Sequence, residues 1–338
     1  IEIIRPNINE CFADFKPEKN KIYYALSGIK SVGYTAISNV IKEREINGKF
    51  RSINDFIKRV NPKDINKLQL EGLIKGGAFD SLEKDRSTLL NSVPKIIQLN
   101  KNLWEEKESN QSNLFPNSTS DEGQIFKLNK TKSWTNNEIL MNEFQSIGFY
   151  MSDHPLKSYI KYFKDSNILS FKEFINGDTN NSLVAGTIMS IQEKKSSKGN
   201  PFAIIKFSDL KGEFELFLFS ELLTKNRNIL KAASSFILSL QKDNLYDNSN
   251  RQRINVKNIL EIESYINKAH ENVTIELNAK SNFDDLKTLL NEDGKTKVTI
   301  KIAETSKIYT FMLKKPRKFD FKTFNSIKDK EFVKKISF

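Results

Sequence analysis

The chain has 338 residues, 38% of them hydrophobic and 28% charged, with 54 Lys and Arg against 42 Asp and Glu and a pI near 9.4. That length exceeds one ordinary core and predicts about two to four domains, and the formal charge of +12 favours a polyanionic partner such as nucleic acid over an acidic metabolite. A single cysteine, Cys11, excludes an internal disulfide, two distant histidines exclude a zinc-type spacing, and no apolar run approaches the ~20 residues of a spanning helix.

Residue 1 is Ile, and residues 1–20 mix polar and apolar groups without a period, so we expect a piece of something longer. Residues 22–45 read as helix, hairpin, helix: Ile22, Tyr23 and Leu26 precede the turn GIKSVG, and Tyr34, Ile37, Val40 and Ile41 recur at helical spacing. Gly28 and Gly33 supply the sharp turn, which aims the first amides of the following helix outward beside Lys30, a geometry suited to phosphate. SINDFIKRV (52–60), with Ser52 as N-cap, leads into NKLQLEGLIKGGAFDSL (66–82), where a helix runs into Gly76-Gly77 beside Lys75. Two Lys-flanked hairpins in succession point to a paired helix-hairpin-helix module that grips duplex backbone through Gly28, Lys30, Val32, Gly33, Lys75, Gly76 and Gly77.

From Asp85 one longer helix is expected, with Leu89, Leu90, Val93, Ile96, Ile97 and Leu103 on its core stripe and Pro94 as a kink. Periodicity then stops in ESNQSNLFPNSTSDEGQ (108–124), an exposed loop carrying an isolated Leu114-Phe115 pair that no local core can bury. His154-Pro155 reads as a hydrogen-bonding turn rather than a catalyst, since no second histidine or nucleophile accompanies it.

Over residues 183–263 the period changes to two. Five strand-like runs, with ELLTKNRNIL helical between the third and fourth, follow the order of an OB-fold barrel. Its loops EKKSSKGNP and KDNLYDNSNRQR carry Lys194, Lys195, Lys198, Tyr246, Arg251 and Arg253, cations and an aromatic suited to single-stranded DNA. From about residue 270 a small α+β domain closes the chain. Asp284 and Asp285 form the solvated face of a short helix there, and residues 301–338 hold 11 Lys and Arg against 4 Asp and Glu.

The strings YALSGIKSVGYTAISNVI, FRSINDFIKRV, LEGLIKGGAFDSL and IGFYMSDHPL, followed by the five-strand order, resemble the C-terminal part of the bacterial DNA polymerase III alpha-subunit family over nearly the whole chain. The resemblance implies a multidomain α+β architecture: the end of a fingers region at 1–20, tandem helix-hairpin-helix modules and a clamp-binding region at 21–165 with an exposed loop at 108–130, an OB-fold at 166–266 and a small C-terminal domain at 267–338. It also implies that Gln111, Leu114 and Phe115 form a peptide that holds the sliding clamp, that the last domain docks the tau subunit of the clamp loader, and a cytoplasmic, nucleoid-associated location. The metal-binding aspartates of the palm, with their Mg²⁺, would lie upstream of Ile1, so no catalytic residue, metal site or cofactor is expected in this chain. Two residues depart from the family pattern: Ser31 stands where such a hairpin usually has glycine, and Asp153 interrupts the small-residue turn before His154. The rival class is a stand-alone repair or scaffolding protein. In NAD-dependent ligases, however, the OB-fold precedes the hairpins, and no nucleotidyltransferase domain fits in this chain.

Overall fold

Residues 1–108, 126–246, 252–278, 283–304 and 307–338 are described in the computed structural model, which divides into two units, Ile1–Asp153 and His154–Phe338. The expected clamp residues Gln111, Leu114 and Phe115, and Arg251 of the second loop, lie outside the described residues.

The first unit opens with a three-stranded sheet ordered β1-β3-β2, made of β1 (Glu2–Ile4), β2 (Lys16–Glu18) and β3 (Lys21–Tyr23). The helix expected over Ile22–Leu26 is therefore corrected: Lys21–Tyr23 is a strand, parallel to β1 and antiparallel to β2, and a 3-10 turn follows at Leu26–Gly28. So short an apolar run cannot meet the cost of helix nucleation, whereas Ile22 and Tyr23 suit a strand with partners on both sides.

Helix α1 (Tyr34–Asn47) buries Ile37, Val40 and Ile41, as their spacing predicts. Its buried Arg44 donates to the carbonyls of Ile8 (2.8 Å) and Cys11 (2.7 Å), tying the helix to the N-terminal segment. Helix α2 (Ile53–Arg59) starts at Ser52, whose side chain accepts from the Asp55 amide, and α3 (Lys67–Lys75) starts at an Asn66/Gln69 capping box. The single kinked helix expected from Asp85 is two helices, α4 (Arg86–Asn91) and α5 (Val93–Glu108). Pro94 lies in the first turn of α5, where its missing amide has no helical partner to lose. After a capping box at Thr135/Glu138, α6 (Asn136–Ile147) ends at Gly148 with φ 100°. One core joins Leu26, Ile29, Ile41, Phe56, Ile74 and Phe79.

In the second unit His154 caps a 3-10 turn at Pro155–Tyr159: its Nδ1 accepts from the Leu156 amide at 3.1 Å and its Nε2 lies 3.0 Å from Ser208 Oγ. Next come α7 (Ile160–Asp165), β4 (Ile168–Leu169) and α8 (Phe171–Asn176), then β5 (Asn181–Lys195), β6 (Pro201–Asp209), β7 (Gly212–Phe219), α9 (Ser220–Asn226), β8 (Ser235–Tyr246) and β9 (Gln252–Glu261). The five long strands and the intervening helix fall where the alternation predicts. They form a sheet ordered β7-β6-β5-β8-β9, with β4 pairing β5 as well. Among the described residues no ladder joins β7 to β9, so the expected barrel is not closed by hydrogen bonds. Strand β5 gives residues 181–187 to β8 and 187–195 to β6, with a register shift between Ile188 and Ser190. Gly186 leaves room for two packed rings, since a Cβ there would stand 3.0 Å from both Phe207 and Phe214.

Helix α10 (Ile262–Ile266) leads to β10 (Asn272–Asn278), α11 (Phe283–Leu289), β11 (Asp293–Glu304), β12 (Lys307–Met312), α12 (Phe321–Lys328) and β13 (Val333–Ser337). The four strands order as β12-β11-β10-β13. Val273, Ile275, Val298 and Ile300 pack with Leu286, Phe324 and Ile327 of α11 and α12, which gives the expected small α+β fold. Among the described residues no helix is long and apolar enough to cross a membrane.

Candidate nucleic-acid interface

The first hairpin, Gly28–Gly33, is anchored from behind and open in front. Ile29 and Val32 are 1% and 8% exposed, so Val32 serves the hairpin as a core peg rather than as a contact, and the Lys30 amide donates to Ser146 O at 2.8 Å. Gly72 of α3 comes so close that a Cβ on it would stand 2.6 Å from Lys30 O. In front, Lys30, Ser31, Gly33, Tyr34 and Thr35 are exposed. Gly33 is the N-cap of α1 and has no side chain to offer. The amides of Ser31, Gly33, Tyr34, Thr35 and Ala36 therefore have no acceptor among the described residues. Ser31 takes φ 69°, the left-handed conformation for which glycine is the usual residue, at a cost of about 1–2 kcal/mol.

The second glycine pair is built differently. Gly77 (φ 81°) and Ala78 donate to Ile74 O and Leu73 O, and Gly76 to Gly72 O, which is a Schellman ending of α3. Both glycines are buried and their amides are bonded within the chain, so the outward amide geometry expected at this turn is corrected: only half-buried Lys75 faces solvent there. A helix end and a hairpin both need glycine after an apolar helix, and the sequence alone does not separate them. The fold does bring the two segments together, since a Cβ on Gly76 would lie 3.3 Å from Ile29 Cδ1.

Behind Gly77 a buried arginine forms an ionic staple with a half-exposed and a buried carboxylate. Arg86, 9% exposed, pairs with Asp80 through Nε (2.8 Å) and Nη2 (2.6 Å), donates through Nη1 to Lys75 O (3.1 Å), and lies 3.9 Å from Glu143 Oε2. Glu143 accepts from the amides of Met151 (2.5 Å) and Ser152 (2.8 Å), so one cluster joins the C-terminus of α3 to α4, α6 and the segment beyond α6.

In the second unit Lys194 and Lys195 close strand β5 instead of lying in a loop, opposite Phe202 and Pro201, while Lys198 sits on the exposed turn 196–200 with Gly199 at φ 78°. Because successive strand residues face opposite sides, only Lys194 shares a face with Phe202. Cross-strand pairs put Phe219 beside Phe202 and Phe217 beside Ile204 on that face. Phe217 and Phe219 are 46% and 47% exposed. Phe202 stacks on Phe217 at 6.5 Å, and the Arg253 guanidinium lies 5.5 Å from the Phe219 ring centre. Tyr246 ends β8. The sequence reading names none of these phenylalanines, although EFELFLF carries apolar residues at both parities of β7, a signal that its outward face is apolar too.

The helix-hairpin-helix motif family matches residues 1–89. DNA polymerase III subunit alpha of Caulobacter vibrioides is 29% identical over 245 residues, 71% of this chain and 21% of that protein. The same subunit of Borreliella burgdorferi is 34% identical over 236 residues (68% and 20%), and that of Rickettsia prowazekii 33% over 253 residues (74% and 21%). The chain thus spans about a fifth of the length of the curated relatives it matches. With its motif at the N-terminal hairpin and its similarity extending over most of its length, the chain belongs to the bacterial DNA polymerase III alpha-subunit family.

Proposed function

We propose that this chain is a DNA-holding part of a replicative polymerase, acting in the nucleoid-associated cytoplasm, and that its first hairpin grips duplex phosphate. One observation carries this: five amides around Ser31–Ala36 stand without acceptors among the described residues, at an uncapped helix N-terminus beside Lys30. Tyr34→Pro tests it cleanly. Proline at the first helical position removes one of these amides and suits both the helix and the extended backbone of Gly33 (φ −75°, ψ 137°). Duplex affinity is expected to fall about tenfold, the worth of one hydrogen bond to a charged group, with the salt slope retained and the melt unchanged. Tyr34→Ala is expected to bind as the parent does. Equal binding by Tyr34→Pro and the parent in a filter titration would leave the hairpin a charged surface only.

The sheet of β5–β9 is our candidate for an OB-type platform for single-stranded DNA. The strand order 3-2-1-4-5 and the approach of Arg253 on β9 to Phe219 on β7 support that reading, as do the exposed phenylalanines flanked by Lys194. For Gln111, Leu114 and Phe115 we propose attachment to the sliding clamp, and for the C-terminal domain attachment to tau, both on the strength of the family resemblance. Association with each purified partner is the measurement, and the absence of a signal removes that partner. Leu114→Ala/Phe115→Ala is expected to abolish clamp association by removing two anchors, each worth about 2 kcal/mol, at an unchanged melting temperature. No catalytic residue, metal or cofactor is assigned to this chain.

A further inference from the structure

Beside the first hairpin stand three aromatic rings. Tyr24 lies two residues before the 3-10 turn Leu26–Gly28 and is 5% exposed, its ring packed into the core of the first unit. Its hydroxyl has no hydrogen-bond partner among the described residues, and burial holds the phenol above its ordinary pKa, so it keeps its proton at neutral pH. The ring is thus fixed by the core while its donor is left for something outside the chain. Phe15 and Phe149 stand at 79° and 64° to the Tyr24 plane, with ring centres 5.1 and 6.1 Å from it, and make no ring contact with each other. They are 54% and 40% exposed, yet each is held by the fold: Phe15 leads into β2, and Phe149 follows the left-handed Gly148 that ends α6. Two contacts place this group against the hairpin. A Cβ on exposed Gly28 would stand 3.3 Å from the Tyr24 hydroxyl, and Ser146, three residues before Phe149, accepts from the Lys30 amide.

We propose that Phe15, Tyr24 and Phe149 form a slot for an unpaired nucleobase of the duplex whose phosphates the first hairpin holds. A base has two flat faces for the phenylalanine rings and, on its edge, a carbonyl or ring nitrogen to accept from the Tyr24 hydroxyl. A base still paired in the stack reaches neither, so the slot selects a nucleotide that has left the helix, at a bulge or a mismatch, where unstacking costs least. A phosphate would satisfy the hydroxyl but would gain nothing from two half-exposed phenyl rings. The inference rests on the hairpin reading, since the grip on the backbone is what brings the displaced base within reach.

The test uses the full chain and two blunt DNA duplexes, one fully paired and one carrying a single extrahelical 2-aminopurine, whose fluorescence falls on stacking. The parent is expected to quench the probe and to bind the bulged duplex about tenfold more tightly than the paired one, as one base stacked on an aromatic ring allows. Tyr24→Phe keeps the ring packing and is expected to melt as the parent does, while the preference falls about fivefold with the loss of one neutral hydrogen bond. Phe15→Leu/Phe149→Leu is expected to abolish the quench and to bring the bulged duplex down to the affinity of the paired one. Tyr34→Pro should do the opposite, weakening both duplexes alike and leaving the preference intact. Equal binding of the two duplexes by the parent, or a preference and quench that survive both slot variants, would overturn the slot with the hairpin grip still standing, and the rings would then be a surface for a protein segment. Failure of the parent to bind either duplex would overturn the grip and the slot with it.

Discussion

Gly77→Ala is expected to destabilise the first unit by about 3–5 kcal/mol, lowering its melting temperature by roughly 10 °C. Gly77 holds φ 81°, and a Cβ there would stand 2.2 Å from Arg86 Nη2 and 2.8 Å from Arg86 Cζ, so the guanidinium cannot keep its place. Displacing it breaks the bidentate bond to Asp80 and leaves Glu143, 1% exposed, without its nearby cation. Losing one partner of a buried charge cluster costs far more than the cluster contributes net. The neighbouring Gly76→Ala is the control. Gly76 lies in the right-handed region at φ −74°, and its added Cβ would meet Gly72 O and Ile29 Cδ1 at 3.3 Å, contacts that yield by a few tenths of an ångström. A cost under about 1.5 kcal/mol is expected there. If thermal melts show the two substitutions to be equally harmful, the Arg86 staple is not what Gly77 protects.

Phe217→Ala/Phe219→Ala is expected to weaken binding of an oligo-dT strand by about a hundredfold, since each base stacked on an aromatic ring is worth about 1–3 kcal/mol. The fold should be nearly indifferent, because both rings are about half exposed and their removal opens no core cavity. The slope of log affinity against log salt is expected to stay as in the parent, because a phenyl ring releases no counterions. Lys194→Ala should do the reverse, flattening the slope with a smaller loss of affinity. Unchanged oligonucleotide binding by the double variant would mean that the exposed face of β6 and β7 is not a stacking platform.

The strands from β5 to β9 were legible as short apolar runs separated by polar turns, and α9 was legible between them. The helices α1 to α3 were legible from their apolar spacing and, at Ser52, from a cap. What the sequence hid depends on distant partners. Lys21–Tyr23 became a strand because residues 2–4 and 16–18 pair with it, and no local pattern announces that pairing. The pair Gly76-Gly77 was misassigned because its amides are consumed by Gly72 and Ile74 of its own helix and the space beside it by Arg86, ten residues beyond Gly76. Ser31, by contrast, is marked by the family resemblance as a residue in a glycine's place, and it holds the left-handed φ of 69°.

The divided allegiance of β5 also sets an order of assembly. Its second half closes on β6 across the short turn 196–200, a local hairpin of the kind that forms in about 1–10 μs. Its first half has only the two-residue strand β4 beside it until β8 has been laid down, after β6, β7 and α9 have all passed. Loop closure of that span must be met before any ladder bond offsets it, which makes the β5–β8 seam the slow step of this sheet. On the ribosome, the same seam leaves residues 181–187 as a bare edge while β8 is still being made, so this stretch is where a translating chain is most open to mispairing with a neighbour.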